Sequence, residues 1–166
     1  MELTQDRLKE LLNYDPVTGV FYWRRTGRGR KTWKPAGSPN SNGYTIINIE
    51  KGRYRAHRLA FLYMTGVMPS IEVDHINGDP SDNRFANLRE CDHSQNMKNR
   101  KIAAHNSSGL KGVFANKKSG TWIAQIRVDN KQNYLGSFPT KEDAAAAYDA
   151  AARTFHGEFA RTNEAA

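Results

Sequence analysis

A chain of 166 residues can form one ordinary domain or two small ones, and its hydrophobic fraction of 38% is too low for one large core. With 25 lysines and arginines against 17 acids it carries a formal charge of +8, which points to a strongly anionic partner, nucleic acid first. Its one cysteine, Cys91, excludes an internal disulfide framework and a CxxC zinc site, and no run approaches the ~18 apolar residues of a membrane span.

The opening "MELTQDRLKE" lacks the cationic start and apolar core of a signal peptide, so a soluble, cytoplasmic protein is expected. Thr4 can cap a short helix with Leu8, Leu11 and Leu12 on one face and Leu3 stapled against Leu8. That helix should stop near "YDPVTG", where Pro16 and Gly19 signal a turn. Residues 20–23 and "GYTIINI" at 43–49 read as strands, joined by a basic, Gly-containing loop. From Arg55, "RAHRLAFLYMTG" has helical period with Leu59, Leu62 and Tyr63 on one side, and Gly66 ends it. "IEVDH" at 71–75 reads as a strand, followed by a Gly/Pro/Asn loop and a brief extended "ANLRE". Asp92 and Gln95 make a capping-box-like pair opening a helix through Asn99.

"AAHNSSG" at 103–109 is small and polar and reads as a linker. Three strand candidates follow, "KGVFAN", "TWIAQIRV" and "QNYLGSF", separated by "KKSG" and "DNK" turns. A last helix is capped by Thr140 and ends at Gly157, with Ala144, Tyr148, Ala151 and Phe155 expected on its inner face. No internal repeat is visible.

Charge is unevenly spread. No acid lies between Asp15 and Glu50, where Arg24, Arg25, Arg28, Arg30 and Lys31 crowd one loop, and a second acid-free window spans residues 93–128. Trp23, Trp33, Phe114 and Trp122 are interleaved with these cations, a combination that serves phosphate contact and stacking together.

Residues 73–99, "VDHINGDPSDNRFANLRECDHSQNMKN", hold five Asn, four Asp and three His or Cys. Turn formation explains much of this, and Asp79, Asp82 and Asn83 are read as loop formers. Asp74 and His75 add chemistry: a carboxylate for a hard cation beside an imidazole whose ordinary pKa lets it take a proton from water. Asn96, on the following helix, offers a carboxamide oxygen. Two such ligands leave room in an octahedral shell for water and phosphate, which suits Mg²⁺ or Mn²⁺ and not zinc, and the EF-hand spacing is absent. On a regular strand Asp74 and His75 point to opposite faces, so they would act from different sides.

"VDHINGDPSDNRFANLRECDHSQN", with "YRAHRLA" upstream, resembles the HNH nucleases of phages and mobile introns, and the resemblance runs over roughly residues 5–101. It implies a ββα-metal motif with His75 as general base, Asp74 and Asn96 as ligands of one divalent ion, and Asn87 holding the two strands and helix in register. Asn96 stands where many relatives have His, and His93 is the alternative for that position. The products implied carry 5′-phosphate and 3′-hydroxyl ends, and the implied setting is a phage-infected bacterial cell.

"GLKGVF", "GTWIAQIRV" and "YLGSFPTKEDAAAAYDAAARTFHGEFARTN" resemble a second family, the plant APETALA and ethylene-response-factor DNA-binding domain. That resemblance implies a sheet laid in the major groove, with Lys111, Trp122, Arg127 and Tyr134 inheriting DNA contacts. Phe114 stands where relatives commonly have Arg. The expectation is an α+β protein: an HNH nuclease domain at 1–102, a linker at 103–108, and at 109–163 a three-stranded antiparallel sheet packed on one helix. It should be a metal-dependent endonuclease of double-stranded DNA, nicking one strand per chain, with neither a membrane nor a protein partner. The alternative is a catalytically silent DNA-binding regulator on the same scaffold.

Overall fold

The computed structural model describes residues 3–27, 31–102 and 106–164. Its fold is α+β, and its contacts divide the chain into two units, Met1–His93 and Ser94–Ala166. Among the described residues no helix is long and apolar enough to cross a membrane.

In the first unit, helix α1 (Gln5–Leu11) starts at Thr4, whose hydroxyl accepts the Arg7 amide at 3.3 Å. It ends sooner than its apolar period suggests. Leu12 opens a strand, β1 (Leu12–Asp15), which pairs antiparallel with β2 (Val20–Trp23) from Leu12↔Trp23 to Asp15↔Val20. The sequence reading missed β1 because four residues beside a helix carry no period of their own, and pairing with β2 decides the matter. Asp15 shapes the turn by accepting the Val17 amide at 2.9 Å, and Gly19 takes φ +75°. A Cβ at Gly19 would lie 2.4 Å from the Arg84 amide nitrogen, so this glycine admits the polar loop against the hairpin.

Strands β3 (Ser38–Pro39), β4 (Thr45–Ile49) and β5 (Gly52–Arg55) form an antiparallel sheet in that order. Neither β3 nor β5 was expected, since each is short and exists through its pairing with β4. Helix α2 (Ala56–Thr65) follows at once and ends on Gly66, left-handed at φ 83°. It buries Leu59, Ala60, Phe61 and Leu62, together with His57. Leu8, Leu12, Phe21, Ile47, Ile49 and Leu59 are essentially inaccessible and centre the core. Strands β6 (Glu72–His75) and β7 (Leu88–Cys91) make a two-stranded antiparallel ladder, separated by the loop 76–87. Helix α3 (His93–Asn99) begins where the first unit ends.

In the second unit, β8 (Val113–Asn116), β9 (Thr121–Val128) and β10 (Lys131–Phe138) form an antiparallel sheet in the order β10-β9-β8. Helix α4 (Lys141–His156), capped by the Thr140 hydroxyl, covers one face. Its buried stripe differs from the expected one. Ala144, Ala145, Tyr148, Asp149, Ala152 and His156 turn inward, while Phe155 is 52% exposed. Asp149 draws the helix round: its Oδ1 accepts the main-chain and side-chain N–H of Asn163 at 2.8 and 2.9 Å. Satisfying a buried carboxylate outweighs burying the last-turn phenylalanine.

Candidate functional site

Strand β6 runs out at His75, and the chain turns immediately, with the Gly78 amide donating to the His75 carbonyl at 2.7 Å. The imidazole is 5% exposed. His57, from the first turn of α2, meets it edge to face, with ring centroids 4.9 Å apart and planes at 89°. The Tyr44 ring lies 5.9 Å away and has the Arg55 guanidinium stacked over it at 4.9 Å. Asn83 Oδ1 faces His75 Nε2 at 3.4 Å. Burial pushes His75 below its ordinary pKa, against the opposing pull of Asn83 and Asp74. His57 falls further, to about 3, through burial and then the charges of His75 and Arg55. Both rings are therefore neutral near pH 7.

Asp74 belongs to the other face of the ladder. It sits opposite Arg89 in register and accepts Arg89 Nε at 3.0 Å and Nη2 at 2.8 Å on Oδ2. Both partners are largely buried, so the carboxylate is held in one orientation. Asn87, 8% exposed, organises the loop: its Oδ1 accepts the Asn77 amide at 3.0 Å, and its Nδ2 donates to Asn77 Oδ1 and to the Asp82 carbonyl. Its carbonyl also accepts the Ile76 amide at 2.9 Å. Asp79 and Asp82 do what turn formers do. Asp79 accepts the Ser81 amide and hydroxyl, and Arg84 donates to Asp82 and holds its carboxyl down to about 2. Asn83 differs from them, because it is 3% exposed and reaches His75. Turn-forming composition disguised it, and nothing local in "PSDNR" marks it out.

Asn96 is partly buried on α3 and lies in the second unit, whereas Asp74 and His75 lie in the first. His93, the alternative for that position, is exposed, with its Nδ1 2.9 Å from Glu72 Oε1. Among the described residues no three His, Cys, Asp or Glu side chains gather into a metal-binding cluster. A buried carboxylate and a carboxamide are hard oxygen donors, and that donor chemistry fits Mg²⁺ or Mn²⁺ better than zinc.

Of the basic loop, Arg28 and Arg30 lie outside the described residues. Arg25 and Lys31 are exposed, while Arg24 donates to the Lys9 carbonyl at 2.8 Å. Trp33, 69% exposed, has the Lys34 ammonium 4.8 Å over its ring.

The C-terminal sheet divides its four expected contact residues. Alternation along β9 turns Trp122, Ala124 and Ile126 toward α4, and Trp122 packs on the cluster of Val113, Ala124, Ala144 and Ala145. Arg127 is exposed on the opposite face, level with Gln132, and Tyr134, 63% exposed, is level with Gln125. Phe114, 49% exposed, pairs with Ile123 on that same open face. Lys111 is committed elsewhere, donating to the carbonyls of Lys98 and Arg100 at 2.6 and 2.8 Å. Burial and the nearby Arg161 lower it to about 8.

Residues 54–98 match the family model described as HNH endonuclease. The uncharacterized HNH endonuclease L560 of Acanthamoeba polyphaga mimivirus is 28% identical over 162 residues, covering 89% of this chain and 83% of its own length. Protein 3.8 of Escherichia phage T7 is 35% identical over 89 residues, 54% of this chain and 73% of that protein. Dehydration-responsive element-binding protein 2A of Oryza sativa subsp. indica is 52% identical over 46 residues, 26% of this chain, which spans only 17% of the plant protein. The solved structure titled for DNA binding and cleavage by the HNH homing endonuclease I-HmuI aligns with 82% of this chain and 76% of its own. It does so at 22% identity, with a TM-score of 0.42.

Proposed function

The chain belongs to the HNH endonuclease family, and from that membership we propose that it is a divalent-metal-dependent endonuclease that nicks duplex DNA. One observation carries the reading: inside the segment matched to the family, His75 is buried and held between His57 and Asn83. An imidazole so held is a general base with little to reorganise. His75 accepts a proton from water as the water oxygen forms its bond to phosphorus. The bond from phosphorus to the 3′ oxygen breaks, leaving 5′-phosphate and 3′-hydroxyl ends once the leaving oxygen is protonated. Asp74, oriented by Arg89, and Asn96 are the oxygen ligands of one Mg²⁺ or Mn²⁺ ion in this reading. When bound, the ion offsets charge on the phosphate and the leaving oxygen. Asn87 acts by pinning the loop 76–82.

Residues 1–102 serve as the nuclease domain, 103–108 as the linker, and 109–163 as a DNA-reading module of the APETALA and ethylene-response-factor kind. Support for the module comes from its three-stranded sheet on one helix and from the local likeness to the plant protein. Arg127 and Tyr134 stand on the open face for base and backbone contact, while Trp122 packs beneath that face and Lys111 is engaged by the Lys98 and Arg100 carbonyls. Arg24, Arg25 and Lys31, with Arg28 and Arg30 of the same loop, neutralise backbone phosphates in the catalytic half.

Supercoiled plasmid incubated with the protein tests this directly. With magnesium, nicked circles should accumulate before linear ones, and a chelator should stop both. DNA binding without conversion under any divalent metal would leave the silent regulator as the function. Linear product with no nicked intermediate at low enzyme concentration would indicate two coordinated sites.

A further inference from the structure

We propose that Phe114 and Ile123 form a seat for the C5 methyl group of a thymine, so that the open face of the C-terminal sheet selects an A·T pair at the step it covers in the major groove. The inference rests on the DNA-reading role given above to this module and adds the base that it reads.

Phe114 lies on β8, and Ile123 stands directly opposite it on β9. Opposed residues of an antiparallel pair have Cβ atoms about 5 Å apart, so the ring and the branched side chain make one apolar surface. The core does not use that surface. Val113 and Ala124, their neighbours in sequence, turn to α4 and pack with Ala144 and Ala145. The Phe114 side chain is left 49% exposed and Ile123 half-buried on the other side of the sheet.

The surroundings of the pair are polar and already ordered. Ser137, level with Ile123 on β10, shares a hydroxyl hydrogen bond with Thr121 at 2.6 Å, and Thr121 shares another with Ser119 at 2.7 Å. On the opposite flank Gln132 Nε2 donates to Gln125 Oε1 at 3.1 Å. An apolar island inside a polar rim has the form of a contact surface. Charge names the partner: residues 113–138 hold Lys117, Lys118, Arg127 and Lys131 against one acid, Asp129. A face of that sign meets a polyanion, and on duplex DNA the apolar group that a base edge offers in the major groove is the thymine C5 methyl. An aromatic ring has no hydrogen to give guanine N7 and O6, so a guanine over Phe114 would have those acceptors desolvated without a partner.

Duplexes preferred by the full chain can be selected from a random pool in the presence of a chelator, so that binding is read apart from cleavage. Each thymine of the selected site is then replaced singly by deoxyuridine, which removes only the methyl group, and affinity is measured by fluorescence anisotropy. At one thymine the wild type should lose roughly 4-fold, the worth of burying one methyl-sized group. Phe114→Ala should bind the thymine and uracil duplexes equally, and the wild-type scan decides the matter even if that variant fails to fold. A wild type indifferent to uracil at every thymine would overturn the proposal, and so would a Phe114→Ala protein that kept the full sensitivity to the methyl group. Self-association that is lost in Phe114→Ala while its DNA binding and methyl sensitivity stay unchanged would give the face to a second copy of the chain instead. If Arg127→Ala and Tyr134→Ala lower affinity while the uracil scan is flat, the module reads DNA and only the thymine assignment fails. Selection that returns no preferred sequence would overturn both.

Discussion

The Met1–His93 unit turns its distinctive polar residues inward, and the C-terminal sheet turns its own outward. His57, Asp74, His75, Asn83 and Asn87 are each at most 8% exposed, and each is engaged by a neighbouring ring, guanidinium or amide. Arg127, Tyr134 and Phe114 stand in solvent on a sheet whose other face carries the core. Proton transfer needs groups held in one geometry, and burial with complete hydrogen bonding supplies that rigidity at a desolvation cost. Groove recognition needs groups that remain available to a partner, so they bury on binding and contribute little to folding. Substitutions in the first region should therefore change rate or stability, and those on the second should change affinity alone.

The largest effect expected is from His75→Ala, which should lower cleavage by about 10² to 10⁴ while leaving DNA affinity in place. Plasmid cleavage alongside fluorescence anisotropy separates the two quantities, and wild-type cleavage by the purified variant would remove His75 as the base.

Asp74→Ala should abolish cleavage and also destabilise the protein. It leaves Arg89 buried without its carboxylate, a change that costs roughly 3–5 kcal/mol in comparable buried pairs. Urea denaturation reads the stability. Asn96→Ala should lose cleavage with partial rescue at higher manganese, because a neutral ligand contributes less of the binding. Metal affinity unchanged in both variants would move the ion elsewhere, with Asp79 and His93 next to test.

Within the C-terminal sheet, Trp122→Ala and Tyr134→Ala set the two faces against each other. Trp122 is half-buried under α4, so its loss should cost about 2 kcal/mol of stability, below the 3–5 of a fully buried aromatic. Tyr134→Ala should leave the melting temperature alone and weaken DNA binding by about 1–3 kcal/mol, the scale of one stacked or bidentate contact. An unchanged affinity for Tyr134→Ala and Arg127→Ala together would show that the open face is not the DNA reader.

Acid should act on the first region through His57. Its folded-state pKa is depressed to about 3 from an ordinary 6.5, so below about pH 6.5 the unfolded chain gains a proton that the folded chain refuses. That contribution to stability is complete above about pH 6.5 and is lost as pH falls toward 3. Thermal melts at stepped pH should show a progressive decline, flattened in His57→Phe. A melting temperature indifferent to pH across that window would contradict the burial of a neutral His57.

The elements legible in the sequence were those with a period and a boundary signal. Helix α2 ends at Gly66, α4 begins at Thr140, and the long strands β9 and β10 turn at "DNK", all close to where their residues predict. Strands β1, β3 and β5 were not legible, because two to four residues become a strand only when a distant partner completes their hydrogen bonds. Asn83 was hidden for a similar reason. Its composition says turn, and only the packing of the loop against the β1–β2 hairpin places it on His75.

Positive charge, the Asp74–His75 dipeptide and the two motif-bearing segments are properties of the chain itself, and the class of partner and type of chemistry proposed above were read from them without any coordinates. Which residues touch His75, which face of β9 carries Trp122, and that Lys111 spends its ammonium on backbone carbonyls were decided only in three dimensions. The physical reason is range. Charge and local period are fixed by residues within a few positions of one another, whereas the partner of a buried polar group is whatever satisfies its hydrogen bonds once the core has closed, and that partner can lie anywhere along the chain.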